Sequence, residues 1–302
     1  GCRMVAGPRM ADPPAPAWTI ESLLRWAMED FRGRGIESPR LDAEVLLARA
    51  LGTTRIQLIV DAKRPLAADE LARMREMVRR RRSREPVAYI LGEREFYGRT
   101  FRVDRRVLVP RPDTETLVDV ALARTRARAL SLRVLDLCTG SGCVAVTLGR
   151  ERPTTHVFGG DVSPDALAVA RDNARRLGAY NVAFREGDLY AAVPLPARFD
   201  LVTANPPYVV AGELASLQVD VRDHEPRLAL DGGADGLALL ARVVAEAPAR
   251  LVSPGGVLAV EVGAGQAPAV AQLFEAAGFA AIEVQRDYAR IERVVSGMLR
   301  GS

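Results

Sequence analysis

Asn205, Pro206, Pro207 and Tyr208 stand directly after a strand-like run, Phe199–Thr203, in the stretch TANPPYVVAG. Proline fixes its own φ and keeps the residue before it out of the helical region. Asn205-Pro206-Pro207 is therefore a stiff segment, set at a strand end, where open α/β sheets bind ligands. Neither proline has an N–H, so their carbonyls are offered without a local donor. The Asn205 side-chain oxygen and the Pro206 carbonyl can together accept two hydrogen bonds, the number that a planar –NH2 group donates. Tyr208 offers a flat face to the same group. An amide-like nitrogen is a poor nucleophile because its lone pair is delocalised. Two acceptors on its hydrogens raise electron density on nitrogen and stabilise the positive charge that grows as it attacks. Asn205, Pro206 and Tyr208 are thus the candidate catalytic residues, and Pro207 joins them in a substrate-binding segment. The plainer alternative is a strand stop made of two prolines.

A second constellation lies upstream. Residues 134–148, VLDLCTGSGCVAVTL, read as a strand, a Gly-rich turn and a helix start. Gly140-Ser141-Gly142-Cys143-Val144-Ala145 fits the pattern G-x-G-x-x-G/A. About 19 residues after Gly142, Asp161 ends the second strand, where an acid can bind ribose hydroxyls. On these residues alone NAD and S-adenosylmethionine both fit. Two further carboxylates favour S-adenosylmethionine. Asp136 sits inside the strand end, poorly placed beside a pyrophosphate and suited to the cationic amino end of a methionine moiety. Asp188, in EGDLY after the third strand-like run, stands where an adenine amino group needs an acceptor; a turn role is its plainer alternative. Positioning the nitrogen against a sulfonium methyl supplies most of the remaining catalysis. No general base is obligatory before transfer, which suits a chain with two histidines, His156 and His224. A metal site or a Ser-His-Asp triad is poorly supplied by the same count.

The elements that must hold these residues follow two periods. Residues 18–85 read as a helical domain. Thr19 is the expected N-cap of a first helix, with Ile20, Leu23, Leu24, Ala27 and Phe31 close to helical spacing. Ser38 and Pro39 open a second helix that Gly52 ends. A third, over 67–85, carries Leu71, Met74 and Val78 on one face and ends in Arg79–Arg82, read as a solvated helix end rather than a nucleic-acid patch. Alternation over 86–110 predicts a β-hairpin linker punctuated by Gly92 and Gly98. Over 111–302 strands alternate with helices, which predicts a parallel, doubly wound α/β sheet closed by a hairpin around Asp287-Tyr288. Residues 1–17 are expected to be a disordered lead without the apolar stretch of a signal peptide.

Composition bounds the rest. Hydrophobic residues make up 48% and charged residues 26%, ordinary globular usage. No apolar run is long enough for a membrane span. Cys2, Cys138 and Cys143 form no disulfide framework, which predicts a reduced, cytoplasmic protein. Charge is uneven: residues 1–130 hold 26 Lys and Arg against 18 Asp and Glu, and the remainder 16 against 20. A basic front half suits an anionic partner. With Lys63 the only lysine, the arginine excess equally suits a bias in genome composition.

The chain resembles the peptide chain release factor glutamine-N5 methyltransferases (PrmC/HemK type). The resemblance lies in DAEVLLARALG (42–52), EPVAYILGEREFYG (85–98), VLVPRPDTETLVD (107–119), VLDLCTGSGCVA (134–145), NPPYV (205–209), EPRLALDGGADGL (225–237) and RDYARIERVV (286–295). PRPDTE with NPPY is specific; NPPY alone also occurs in enzymes that methylate adenine N6 and guanine N2. The resemblance implies a helical domain that recognises the release factor, joined by a hairpin to a Rossmann-like methyltransferase domain. It implies that Cys138, Thr139, Gly140, Ser141, Gly142 and Asp161 bind S-adenosylmethionine, with Leu189 also at the cofactor; Asp136, Asp188 and Asn205 complete the expected cofactor set, and no metal is expected. At Leu189 some relatives carry Trp. Asn205–Tyr208 would bind the glutamine of the Gly-Gly-Gln loop of class 1 release factors, Pro110–Glu115 would lie near the pocket, and His224 would be a loop residue. A nucleic-acid methyltransferase is the alternative, and a non-catalytic binding module a second; neither nucleic acid nor membrane is an expected partner.

Overall fold

Helices α1 (Ile20–Gly33), α2 (Pro39–Leu51), α3 (Arg55–Val60), α4 (Ala68–Arg82) and α5 (Val87–Leu91) make up the front of the chain in the computed structural model. The structure describes residues 18–128 and 131–301. The lead expected over 1–17, with Cys2, lies outside the described residues. Two units emerge, one up to Ile90 and one from Leu91 onward.

Thr19 caps α1 reciprocally. Its hydroxyl accepts from the Ser22 N–H at 3.2 Å, and Ser22 Oγ accepts from the Thr19 N–H at 2.9 Å, which satisfies two donors that a helix start leaves open. Ile20, Leu23, Ala27 and Phe31 are the face α1 buries. Helix α3 was not anticipated. Its six residues are too few for a periodic signal, and Ile56, Ile59 and Val60 are exposed while Leu58 is buried. Thr54 caps it by accepting from the Gln57 N–H.

The Arg79–Arg82 run is a solvated helix end only in part: Arg79 is exposed and Arg81 is buried. Arg79 pairs with Glu76, Arg80 with Glu85 at 2.8 Å, Arg81 with Asp42 at 2.8 Å and Arg82 with Asp30 at 2.7 Å. The Arg81 side chain is 5% exposed. Arg81 and Arg82 meet acids on α2 and α1, distant in sequence, as the helices pack, whereas Arg79 and Arg80 pair with acids within five residues of them.

The second unit begins with a hairpin, β1 (Glu93–Phe96) and β2 (Arg99–Arg102), whose turn residues Tyr97 and Gly98 both have positive φ, as a tight hairpin turn requires. Of the segment 86–110, then, residues 87–91 are helical and the hairpin occupies 93–102. Phe96 and Phe101 are 1% and 0% exposed and pack with Leu117, Val118, Ala121 and Val134. After a 3-10 turn (Pro112–Thr114) come α6 (Glu115–Arg124), β3 (Arg133–Leu137), α7 (Cys143–Glu151), β4 (His156–Asp161), α8 (Pro164–Arg176), β5 (Val182–Glu186) and β6 (Leu201–Ala204). Then follow α9 (Val219–His224), α10 (Ala238–Glu246), β7 (Val257–Glu261), α11 (Ala267–Ala276), β8 (Phe279–Arg286) and β9 (Glu292–Leu299). His224 therefore closes a short helix rather than sitting in a loop.

The sheet order is β5-β4-β3-β6-β7-β9-β8. β3 to β7 run parallel, and β9 is antiparallel to both of its neighbours. Successive side chains on a strand face opposite sides, so Leu135 and Leu137 of β3 join one core and Val134 the other. Helices cover both. Strand order reverses between β3 and β6, and their carboxyl ends open the crevice in which such sheets take ligands. Among the described residues no helix is long and apolar enough to cross a membrane.

Candidate active site

The turn after β3 is held in a costly conformation. Cys138 and Gly140 have φ of 54° and 53°, and a non-glycine residue there stores strain. Its neighbours over-determine it. The Thr139 N–H donates to the Gly160 carbonyl at 3.0 Å, the Gly140 N–H to Asp161 Oδ2 at 2.9 Å, and Asn173 Nδ2 to the Ser141 carbonyl at 2.9 Å. Asp161 Oδ1 accepts from the Ser163 N–H at 2.9 Å, and burial raises the Asp161 carboxyl above the usual range. At Gly142 a Cβ would stand 3.0 Å from Ala170 Cβ; the missing side chain lets α7 start close against α8.

Asp136 is buried beneath this turn. Its Oδ2 accepts from the Thr139 hydroxyl at 2.6 Å and its Oδ1 from the Thr203 hydroxyl at 2.8 Å. Burial pushes its carboxyl up to about 6, and the two hydroxyls oppose that rise. Burial likewise raises both thiols, Cys143 to about 12 and Cys138 further; both are free.

A cavity of about 290 Å3 lies at the carboxyl ends of β3, β4 and β6. Asp136, Cys138, Thr139, Gly140, Ser141, Asp161, Asp188, Leu189, Asn205 and Pro207 line it. Gly142, Pro206 and Tyr208 do not. Pro110, Arg111 and Thr114 line it as well, from the segment PRPDTE. Sequence reading missed Val162, Ser163, Ala166, Leu228 and Leu239. Val162 and Ser163 follow the carboxyl end of β4, and that position was the available signal; Leu239 and Ala166 are helix residues with none. Asp188 is not a bare acceptor. Both of its oxygens face the Arg242 guanidinium, at 2.9 and 3.3 Å. Leu189 beside it has φ 48°.

The Asn205–Tyr208 segment is clamped from three sides. Asn205 Nδ2 donates to Thr114 Oγ1 at 3.2 Å, which leaves Oδ1 as the side chain's acceptor. Among the described residues no N–H reaches the Pro206 carbonyl. The Tyr208 hydroxyl donates to Glu261 Oε1 at 3.2 Å, and Gln266 Nε2 donates to the Tyr208 carbonyl at 3.1 Å. The loop DGGADG (231–236) lies against this backbone: at Gly232 a Cβ would come within 2.7 Å of Tyr208 Cα. Glu225, buried, accepts from the Val109 N–H at 3.2 Å and from Arg111 at 2.7 Å, tying EPRLAL to PRPDTE. Burial pushes the Glu261 carboxyl up to about 7, with Thr114 and Tyr208 opposing the rise, and raises the Tyr208 phenol. Among the described residues no group of three His, Cys, Asp or Glu could hold a metal ion.

This geometry coincides with sequence kinship along the chain. The PrmC N-terminal domain family matches residues 22–92, and a methyltransferase domain family matches residues 130–276. A release factor glutamine methyltransferase of Geobacter sulfurreducens is 45% identical over 282 residues, covering 93% of this chain and 97% of the relative. One from Cereibacter sphaeroides is 46% identical, covering 91% and 97%. A solved protein-(glutamine-N5) methyltransferase of Alicyclobacillus acidocaldarius is 27% identical, with a TM-score of 0.40, covering 66% of this chain and 99% of that one. With identity of this order over more than nine-tenths of its length, the chain belongs to the release factor glutamine methyltransferase family.

Proposed function

We propose that this protein transfers the methyl group of S-adenosylmethionine to the N5 amide nitrogen of the glutamine in the Gly-Gly-Gln loop of class 1 release factors. The observation that carries the reading is the acceptor pair at the end of β6: Asn205 Oδ1, turned free by the bond from Nδ2 to Thr114, and the Pro206 carbonyl, which no N–H reaches among the described residues.

The cavity residues suit S-adenosylmethionine. Asp161 keeps lone pairs for ribose hydroxyls beyond those its two backbone donors use. Asp136 offers negative charge to an ammonium group, the turn Cys138–Gly142 its backbone, and Leu189 and Val162 an apolar flank. Asp188 would reach an adenine amino group only by sharing its carboxylate with Arg242. Bound there, the cofactor supplies an electrophilic methyl group on a sulfonium. Asn205 Oδ1 and the Pro206 carbonyl each accept one N–H of the glutamine amide, which fixes the nitrogen's orientation and stabilises the positive charge it acquires. Pro207 and the Tyr208 ring confine the amide plane. The nitrogen sheds one proton after transfer, and no side chain has to remove it beforehand.

The Arg79–Arg82 run lends a nucleic-acid acceptor little support, because each guanidinium has an acid partner in Glu76, Glu85, Asp42 or Asp30. The free thiols of Cys138 and Cys143 suit a reducing compartment, the cytoplasm. Incubation with methyl-labelled cofactor, intact release factor, a factor whose loop glutamine is changed, and bulk RNA tests the reading. Label is expected on the intact factor alone; label on RNA would move the acceptor to a nucleobase.

A further inference from the structure

Thr114 and Glu261 lie behind the acceptor pair, and neither belongs to the Asn205–Tyr208 segment. Thr114 ends the 3-10 turn Pro112–Thr114 and is buried. Glu261 is the last residue of β7 and is 1% exposed. β6 and β7 are parallel neighbours with Ala204 opposite Val260, so Asn205 and Glu261 leave the sheet side by side. Asn205 Nδ2 donates to Thr114 Oγ1, and the Tyr208 hydroxyl donates to Glu261 Oε1. The Thr114 side chain lies close enough to Glu261 to favour its carboxylate form. Glu261 Oε2 is buried and has no hydrogen-bond partner among the described residues, so it is an open acceptor for a hydroxyl that turns toward it.

A threonine hydroxyl has one proton and two lone pairs. With its proton turned to Glu261, it meets Asn205 as an acceptor. With its proton turned to Asn205, it requires the carboxamide to reverse, and the Asn205 –NH2 then faces the substrate –NH2, donor against donor. An ionised carboxylate only accepts, so it permits the first arrangement alone.

We propose that Thr114 and Glu261 are positioning residues for the methyl-accepting amide: ionised Glu261 draws the Thr114 proton, Thr114 accepts from Asn205 Nδ2, and Asn205 Oδ1 is left facing the substrate. This rests on the reading of Asn205 as the substrate acceptor. Protonated Glu261 donates as well as accepts, and both carboxamide orientations then become available. The charged and titratable groups around Glu261 are Tyr208 from the segment after β6, Arg293 from β9, Asp113 from the 3-10 turn and Cys143 from the start of α7. Arg293 is itself held by Asp287 and Asp113.

The test compares wild type with Glu261→Gln, Thr114→Val and Thr114→Ser in release-factor methylation, with cofactor affinity and melting temperature measured for each. Glu261→Gln and Thr114→Val should lower kcat by about ten- to a hundredfold, part of what loss of a preorganised donor or acceptor costs, with KM for cofactor unchanged. Thr114→Ser keeps the hydroxyl and should restore most of the rate. Wild-type kcat should rise with pH through a group near 7, and Glu261→Gln should abolish that rise. Should Thr114→Val fail to fold, the near-isosteric Glu261→Gln carries the decision. Folded Glu261→Gln with wild-type kcat and an unchanged pH profile overturns the assignment, as does Thr114→Ser no better than Thr114→Val. Wild-type enzyme that labels RNA and no glutamine overturns the functional reading instead.

Discussion

The Gly140 N–H donates to Asp161 Oδ2 over 2.9 Å, so the carboxylate that ends β4 also braces the turn that leaves β3. With Ser163 on the other oxygen, each oxygen keeps one lone pair for a ligand hydroxyl. Asp161→Ala therefore removes the brace together with the ligand contact proposed above. It is expected to weaken S-adenosylmethionine binding by ~1.5–3 kcal/mol, which titration calorimetry measures. Asp161→Asn should recover little, because its –NH2 must face one of the two N–H donors. Unchanged affinity in Asp161→Ala would place the ribose elsewhere.

Asn205→Ala should leave cofactor affinity near wild type and slow single-turnover methylation by ~10²–10³, the scale of one lost preorganised hydrogen bond in a transition state. Tyr208→Ala should also spare the cofactor and impair use of the protein substrate, since Tyr208 does not line the cavity. Variants with weakened cofactor affinity and wild-type turnover at saturating cofactor would exchange the two sites.

Gly236 has φ 72°, and a Cβ there would stand 2.6 Å from Gln266 Nε2. Gln266 Nε2 donates to the Tyr208 carbonyl, so Gly236→Ala pushes on the clasp that holds the Asn205–Tyr208 segment. We expect a loss of more than about 1 kcal/mol in urea unfolding together with a clear fall in kcat. Gly233→Ala is the control. Its φ is 86°, yet its Cβ would meet only Ala238 Cβ at 3.7 Å, so stability should fall with a smaller effect on kcat. Equal kcat losses in the two would detach Gln266 from catalysis.

Removing one partner of a buried ion pair leaves the other charge uncompensated. Arg81→Ala, opposite Asp42, should cost ~3–5 kcal/mol in chemical denaturation. Arg79→Ala, at an exposed pair with Glu76, should leave stability close to that of wild type. Similar values for the two would mean that burial does not set the cost.

Glu261 titrates near 7 in the folded chain against an ordinary 4.5. A carboxyl raised by folding contributes stability that is present below its unfolded value and lost as pH rises through the folded one. Glu261→Gln removes that loss. The melting temperature of the variant, relative to wild type, should climb from about pH 5 to about pH 8 while its methylation rate is reduced. A relative melting temperature that falls over the same interval would mean that the folded chain favours the carboxylate.

Local chemistry legible in the residues themselves accounts for much of this protein. Proline's fixed φ stiffens Asn205-Pro206-Pro207 whatever lies around it, and the strand–turn–helix around Gly140 is set by adjacent residues. Alternation and helical spacing likewise announced the α/β sheet and three of the front helices; α3 escaped because six residues hold less than two turns of pattern. What the sequence could not announce are partners brought together by packing. Asn205 meets Thr114 across 91 positions, and Tyr208 meets Glu261 across 53. Arg81 finds Asp42 only because α2 packs against α4, and Asp188 finds Arg242 only because α10 passes the end of β5's loop. Phe96 and Phe101 read as hairpin residues and proved to be core. Backbone restriction acts between neighbours in the chain and is written there. Which carboxylate faces which hydroxyl depends on strand order, and the placing of β7 beside β6 is what sets Glu261 behind the Asn205–Tyr208 segment.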